Sequence, residues 1–173
     1  MNLWKDLPTI DKDTNGAEIS TIRVIIEISK GNSLKYELNS TGDYLTVVRE
    51  MHPKYKYIYN YGMIPQTLGG DNDPLDAIVI YNKPLIGGSV INCKVLGVVK
   101  TIDQGEIDDK ILCIPYFSKK KKVNINRIIK YLSNYKYPNQ KGTEVIGLLD
   151  SNKALELIHI AIKDFKEKMK DEV

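Results

Sequence analysis

The chain has 173 residues, with 25 Lys plus Arg against 22 Asp plus Glu and a formal net charge of +3 at neutral pH. Hydrophobic residues make up 42% and charged residues 27%, the balance of a soluble globular protein, which excludes disordered, collagenous and disulfide-scaffold readings. That length fits one domain over 1–173, and no apolar run approaches the roughly 18 residues a membrane helix needs.

In chain order, the opening MNLWKDLPTIDKD carries early acidic residues and no apolar stretch of the kind a secretory leader has, so a cytoplasmic location is expected, with Trp4 packing as an anchor. Segments 19–28, 33–38, 44–50, 77–81, 90–99 and 109–116 are rich in β-branched and apolar residues and are separated by Gly, Asn, Asp and Pro. They are predicted strands, and so many short strands with turns between them suggest a small barrel or sandwich. Cys93 and Cys113 lie inside two of these apolar runs and are expected to be buried and reduced. Lys119 to Lys122 form a basic run that reads as a solvated loop.

Beyond that point the period changes. Ile125, Ile128, Ile129 and Leu132 recur at helical spacing behind Asn124, a suitable N-cap, and predict a short helix. From Asp150 or Ser151 onward, Leu155, Ile158, Ile162, Phe165 and Met169 alternate steps of three and four. This is a long amphipathic helix, and its polar face mixes both charge signs, as expected for packing on protein rather than on a membrane. The fold class is therefore α+β, mainly β, a barrel with two helices packed outside.

The chemistry concentrates in GGDNDPLDAIVIY, where Asp71, Asp73 and Asp76 fall within six residues on a turn that precedes an apolar strand. At an effective dielectric near 20, two such charges about 4 Å apart repel by roughly 4 kcal/mol, so the group calls for a compensating cation. Hard oxygen ligands suit Mg²⁺ or Mn²⁺. An EF-hand is excluded, because Pro74 interrupts the loop and Asn82 stands at the twelfth position. In TIDQGEIDDKIL, Asp103 and Asp108 flank a glycine-containing loop, and Lys110 follows Asp108 by two positions, on the same face of a strand. In SLKYEL, Leu34, Tyr36 and Leu38 are expected on one face, with Lys35 and Glu37 sharing the other. Glu27, inside IRVIIEI, needs a lysine, an arginine or a metal nearby.

The run DNDPLD resembles the signature of the soluble, magnesium-dependent inorganic pyrophosphatases of family I, and the order of the other elements is similar from about Ile22 to Gly147. The resemblance implies a five-stranded barrel related to the OB fold, with flanking strands and helices outside it, that hydrolyses pyrophosphate to two orthophosphates. It implies metal ligation by Asp71, Asp76, Asp103 and Asp108, with Glu27 near a further metal, and Asp73 as general base toward a metal-activated water. It further implies that Lys35, Arg49, Tyr61, Lys110, Tyr135 and Lys136 hold the phosphoryl groups, supported by Glu37 and Tyr57. The implied cofactor is Mg²⁺, two to four ions per site, with Mn²⁺ as a possible substitute, and the short length implies a homo-oligomer, a hexamer being favoured. The chain departs from the usual family pattern at Ile58, Thr143 and Leu148.

The implied site sets four cations against seven carboxylates, a formal −3 that would repel a polyanion until metal binds. A nucleic-acid-binding OB-like barrel is the alternative from another class, on the strength of many tyrosines and a lysine run, but such a face would carry all seven carboxylates. Neither nucleic acid nor membrane is an expected partner. His52 and His159 lack metal-ligand spacing and are expected in surface or helix-face roles.

Overall fold

The computed structural model describes residues 1–12, 18–119, 123–135 and 143–171, so Lys120 to Lys122 and the implied substrate ligand Lys136 lie outside the described residues. In chain order the elements are α1 (Leu3–Asp6), β1 (Ile10–Lys12), β2 (Glu18–Ile28), β3 (Leu34–Leu38), β4 (Leu45–Glu50), β5 (Asn60–Met63) and β6 (Asp76–Val79). There follow β7 (Val90–Asp103), β8 (Glu106–Ile107), β9 (Lys110–Pro115), α2 (Ile125–Leu132), β10 (Glu144–Asp150) and α3 (Ser151–Asp171).

Strands β2, β5, β6, β9 and β7 hydrogen-bond in that order, and β7 returns to pair with β2, which closes a ring of five. The closing register runs from Ile22 opposite Cys93 to Ile25 opposite Val90. Closure demands close approaches. A Cβ at Gly62 would lie 1.9 Å from the carbonyl oxygen of Ile25, and one at Gly97 would lie 2.5 Å from that of Leu149, so neither position accommodates a side chain. β10 extends the sheet beyond β7, while β3 and β4 form a separate two-stranded hairpin.

Period-two alternation sorts the ring's side chains into two cores. On β9, Ile111 and Cys113 join Ile22, Val24 and Ile26 and the α3 residues Ala154, Ile158 and Ala161. Leu112, between them, joins Ile28, Val99 and Tyr57 and the α2 residues Ile128 and Leu132. Helix α2 buries Ile128 and Leu132 of its expected stripe, whereas on α3 the buried stripe is Ala154, Ile158, Ala161 and Phe165 and the expected Leu155 is exposed; burying one such Leu or Ile contributes roughly 1.5–3 kcal/mol. The side chain of Asn124 caps α2, accepting from the backbone N–H of Arg127 at 3.1 Å. Trp4 anchors the N-terminus: its indole N–H donates to the Thr67 carbonyl at 3.2 Å, and its ring lies 5.7 Å from that of Phe165 on α3. Cys93 and Cys113 are free and buried. Among the described residues no helix is long and apolar enough to cross a membrane.

The six predicted strands and two predicted helices are all present, whereas α1, β1, β5, β8 and β10 are additions. The hairpin carries one local irregularity. The β3–β4 register shifts between Lys35, opposite Arg49, and Tyr36, opposite Val47, so Val48 is an extra residue in the ladder. The bulge lies on β4, and β3 keeps its alternation: Lys35 and Glu37 are ion-paired on one face, while Tyr36 packs against the second core and, like Leu38, also borders the cavity. The histidines behave as expected: the His52 ring accepts from the Lys54 N–H at 3.3 Å in a local turn, and His159 lies on an exposed helix face, 2.8 Å from the Leu155 carbonyl.

Candidate functional site

The acidic turn is held from below. Thr67, fully buried, donates its hydroxyl to the Ile64 carbonyl at 2.6 Å and accepts the Leu75 N–H at 2.9 Å, while the Gly69 N–H reaches the Asp73 carbonyl at 2.7 Å. Asn72 takes a positive φ of 67°, which asparagine tolerates better than most residues. Asp71 accepts the Asp73 N–H at 3.1 Å, so one of its oxygens helps form the turn while the side chain still borders the cavity.

Asp76 opens β6, and the parallel β6–β9 register sets it directly beside Lys110. The ammonium group of Lys110, 1% exposed, pairs with Asp76 at 2.5 Å and also with Asp108. Tyr61 donates its hydroxyl to the same Asp76 oxygen at 2.5 Å, and the Lys110 nitrogen lies 5.9 Å from the Tyr61 ring centre. The third acidic contribution comes from a hairpin. Gln104 and Gly105 have φ of 50° and 90°, the two successive left-handed residues of a type I′ turn, and they set Asp103 opposite Glu106.

These elements border a cavity of about 580 Å³. Asp71, Asp73 and Asp76 enter it from the turn, Asp103, Glu106, Asp108 and Lys110 from the hairpin and β9, and Glu27, Lys35 and Glu37 from β2 and β3. Tyr57, Tyr61 and Tyr135 form its aromatic wall, with Tyr57 5.6 Å from Tyr61 and 6.5 Å from Tyr135, ring centre to ring centre. Arg49 is not among the lining residues; it lies opposite Lys35 in the hairpin, where its charge acts on the Tyr57 and Tyr131 hydroxyls. Glu106 and Gln104 also border the cavity and were not anticipated. Their only sequence signal was the Gln-Gly pair, which fits a two-residue turn.

Electrostatics divides the carboxyls by role. Burial acts to raise Asp76, but the Lys110 ammonium and hydrogen bonds from Lys110, Tyr61 and Asp108 outweigh it and hold this carboxyl below the ordinary range. Asp108 is raised, by burial and by the charge of Asp76, against the pull of Lys110. Asp73, exposed at the cavity mouth, is raised by partial desolvation and by the neighbouring Asp71, Glu37 and Asp76. Burial pushes the Tyr57 and Tyr61 hydroxyls up, and Tyr135 up to about 12, so all three are neutral hydrogen-bond donors at physiological pH.

Glu27, 8% exposed, accepts the Leu38 N–H at 2.8 Å, and the charge of Lys35 acts on it as well. Burial lifts its carboxyl from 4.5 to about 8. A folded-state pKa above the unfolded one means that the native protein holds the proton more firmly. The resulting stabilisation is complete below 4.5 and is lost as pH rises to about 8. In chelator, the stability difference between wild type and Glu27→Gln should therefore fall across that window with a slope approaching ~1.4 kcal/mol per pH unit, measured by urea unfolding. Parallel stability curves would contradict a protonated Glu27.

The donor set suits a hard divalent cation, since among the described residues the anionic groups bordering the cavity are carboxylates, with no cysteine or histidine beside them. Among the described residues no three or more of them converge closely enough to hold an ion together. Mg²⁺ does not need such a cluster, because it commonly takes one or two protein carboxylates and keeps several waters.

Residues 24–166 match the model of the family described as Pyrophosphatase, inorganic pyrophosphatase. The chain is 34% identical over 155 residues to an inorganic pyrophosphatase of Synechocystis, covering 84% of this chain and 92% of that protein. Among solved structures, an inorganic pyrophosphatase from Neisseria gonorrhoeae superposes with a TM-score of 0.80 at 30% identity, covering 85% of this chain and 92% of that one. One from Thermus thermophilus superposes with a TM-score of 0.84 at 26% identity, covering 96% and 99%.

Proposed function

The chain belongs to the inorganic pyrophosphatase family, in its soluble family I type, and hydrolyses pyrophosphate to two orthophosphates; from that premise we propose which of its residues do the work. The observation that carries the proposal is the Asp76–Lys110–Asp108 cluster in a cavity bordered, among the described residues, by eight carboxylates and two lysines.

Among the described residues that composition is a formal −6, against the −3 expected from sequence: Glu106 borders the cavity, Arg49 does not, and Lys136 lies outside the described residues. A diphosphate cannot enter such a field unaided. The family is metal-dependent, and the oxygen-only donor set favours Mg²⁺, two to four ions per site, held by Asp71, Asp76, Asp103 and Asp108 with Glu27 nearby. When bound, Mg²⁺ polarises phosphoryl oxygens and acidifies water. The chain's own groups then divide the remaining tasks. Asp73 takes a proton from the attacking water. Lys35 and Lys110 neutralise phosphoryl oxygens as point charges, and Tyr61 and Tyr135 donate hydrogen bonds without adding charge. Arg49 and Lys136 belong to the same set, Arg49 from the hairpin, opposite Lys35. Glu37, ion-paired with Lys35, and Tyr57, packed on Tyr61, orient those groups. Phosphoryl transfer asks mainly for such positioning and charge neutralisation.

The test is orthophosphate release from pyrophosphate with and without Mg²⁺, paired with calorimetry. Pyrophosphate should bind and turn over with Mg²⁺ and do neither in excess chelator. Equally tight binding in chelator would overturn the metal-first order. The nucleic-acid-binding alternative is not favoured, since eight carboxylates would face the ligand. A homo-oligomer, a hexamer being favoured, belongs to the same proposal; exposed Ile146 and Leu148 on β10 and Ile160 on α3 supply apolar surface for it, and the solution mass reads the outcome.

A further inference from the structure

The β7 strand changes partner beside the site, from β8 to β9, and the change is spliced by side chains. Ile102 lies opposite Ile107 on β8, and Val99 lies opposite Lys110 on β9. One register joins the two ladders, so Thr101 faces Asp108 and Lys100 faces Asp109, yet neither of those pairs belongs to a ladder. An antiparallel pair of the hydrogen-bonded kind would exchange two backbone bonds. Here only one forms, from the Asp108 N–H to the Thr101 carbonyl at 3.0 Å. The other is replaced twice over: the Asp108 carbonyl accepts the Thr101 hydroxyl, and the Thr101 N–H donates instead to the Asp109 carboxylate at 3.2 Å.

The splice is buried and closed. Thr101 is 0% exposed and Asp109 6%. The second Asp109 oxygen is ion-paired with Lys100, whose side chain is 27% exposed. The Thr101 hydroxyl, both Asp109 carboxylate oxygens and the Lys100 ammonium all have partners, as a buried polar network requires. None of these three side chains borders the cavity, but the residues they hold, Asp108 and Lys110, are two of the three members of the buried ion cluster with Asp76.

We propose that Thr101, Asp109 and Lys100 are positioning residues that set the direction of Asp108 and Lys110 toward Asp76, and through them the affinity of the site for its divalent cation. The proposal rests on the reading of Asp108 as a metal ligand. A main-chain ladder alone would fix the strand spacing. Letting a hydroxyl and a carboxylate stand in for one ladder bond fixes the local backbone by side chains that can be changed singly. Groups that orient metal ligands typically alter metal affinity by 10- to 100-fold when removed.

The experiment is Mg²⁺ titration calorimetry without substrate, on wild type, Thr101→Val, Thr101→Ser, Asp109→Asn and Lys100→Met, with urea unfolding in chelator alongside. Thr101→Val and Asp109→Asn should each weaken Mg²⁺ binding by roughly 10-fold or more, and Thr101→Ser, which keeps the hydroxyl, should stay near wild type. Lys100→Met, altered at the exposed end, should fold and weaken binding in the same direction. The mutants' demand for Mg²⁺ should rise in kinetics while KM for the magnesium-saturated substrate changes little. Should Thr101→Val fail to fold, Asp109→Asn and Lys100→Met decide the matter by themselves. Folded variants that lose stability in urea but bind Mg²⁺ as wild type does would overturn the proposal, since that is what a purely structural splice predicts. Wild type that binds no Mg²⁺ but still releases phosphate would instead overturn the metal-ligand reading beneath it.

Discussion

Asp73→Asn should lose about 10²- to 10⁴-fold in turnover while binding Mg²⁺ nearly as wild type does. The substitution is close to isosteric, and the Asp73 backbone N–H that bonds Asp71 is untouched, so the turn should persist. What changes is the ability to accept a proton. Asp73 is suited to that task by position and by environment: it is the exposed member of the triad, at the cavity mouth, and desolvation, Asp71, Glu37 and Asp76 together raise its carboxyl above the ordinary value. A base whose pKa moves toward the working pH takes a proton more effectively. A base must be ionised to act, so wild-type activity should fall as pH drops through that raised value, and this acid limb should vanish from the residual activity of the variant. If Asp73→Asn keeps wild-type turnover, or loses Mg²⁺ affinity in proportion to its activity, Asp73 is a metal ligand or a turn residue and not the base.

Legibility in the sequence followed burial. β2 and β9 were readable because Val24, Ile25, Ile26, Ile111 and Cys113 are fully buried, which leaves continuous apolar runs. β10 was missed because it pairs with β7 alone at the end of the sheet and leaves Ile146, Leu148 and Leu149 exposed, without alternation and with Gly147 inside it. β5, Asn-Tyr-Gly-Met, reads as a turn by composition. Its demands are tertiary: Asn60, fully buried, accepts the N–H groups of Lys30 and Leu85 at 2.9 and 2.8 Å and donates to the Lys83 carbonyl at 3.0 Å, while Gly62 admits β2.

The site divides in the same way. The acidic turn and the Asp108–Lys110 spacing are local, so both were visible. That Asp76 belongs with Lys110, 34 positions later, depends on the parallel register of β6 and β9, which no local pattern encodes. Arg49 was grouped with the pocket by resemblance; it stands opposite Lys35 on β4, where its charge acts on the cavity residue Tyr57. Asp109 was not singled out in the sequence; its role emerges only once Lys100 and Thr101 are seen across the strand junction.

Lys110→Met should destabilise the metal-free protein by about 3–5 kcal/mol, the usual result of removing one partner from a buried ion cluster. Lys110 is 1% exposed, and the side chains it serves, Asp76 and Asp108, are only 25% and 15% exposed. Methionine fills the space but leaves two carboxylates facing each other without their cation, and water reaches them poorly. Wild type compensates those charges whether or not metal is present, whereas the variant must protonate a carboxyl or recruit a cation. Saturating Mg²⁺ should therefore stabilise Lys110→Met more than it stabilises wild type, because the ion binds the folded state and relieves a repulsion that wild type never had. The comparison needs four urea transitions: each protein in chelator and in excess Mg²⁺. Loss of stability by the same amount in both conditions would mean that Lys110 acts through packing, and that the carboxylates beside it are not where the divalent cation binds. Turnover separates the two roles further, because Mg²⁺ can restore the fold but cannot replace an ammonium group on a phosphoryl oxygen, so the rescued variant should remain stable and slow.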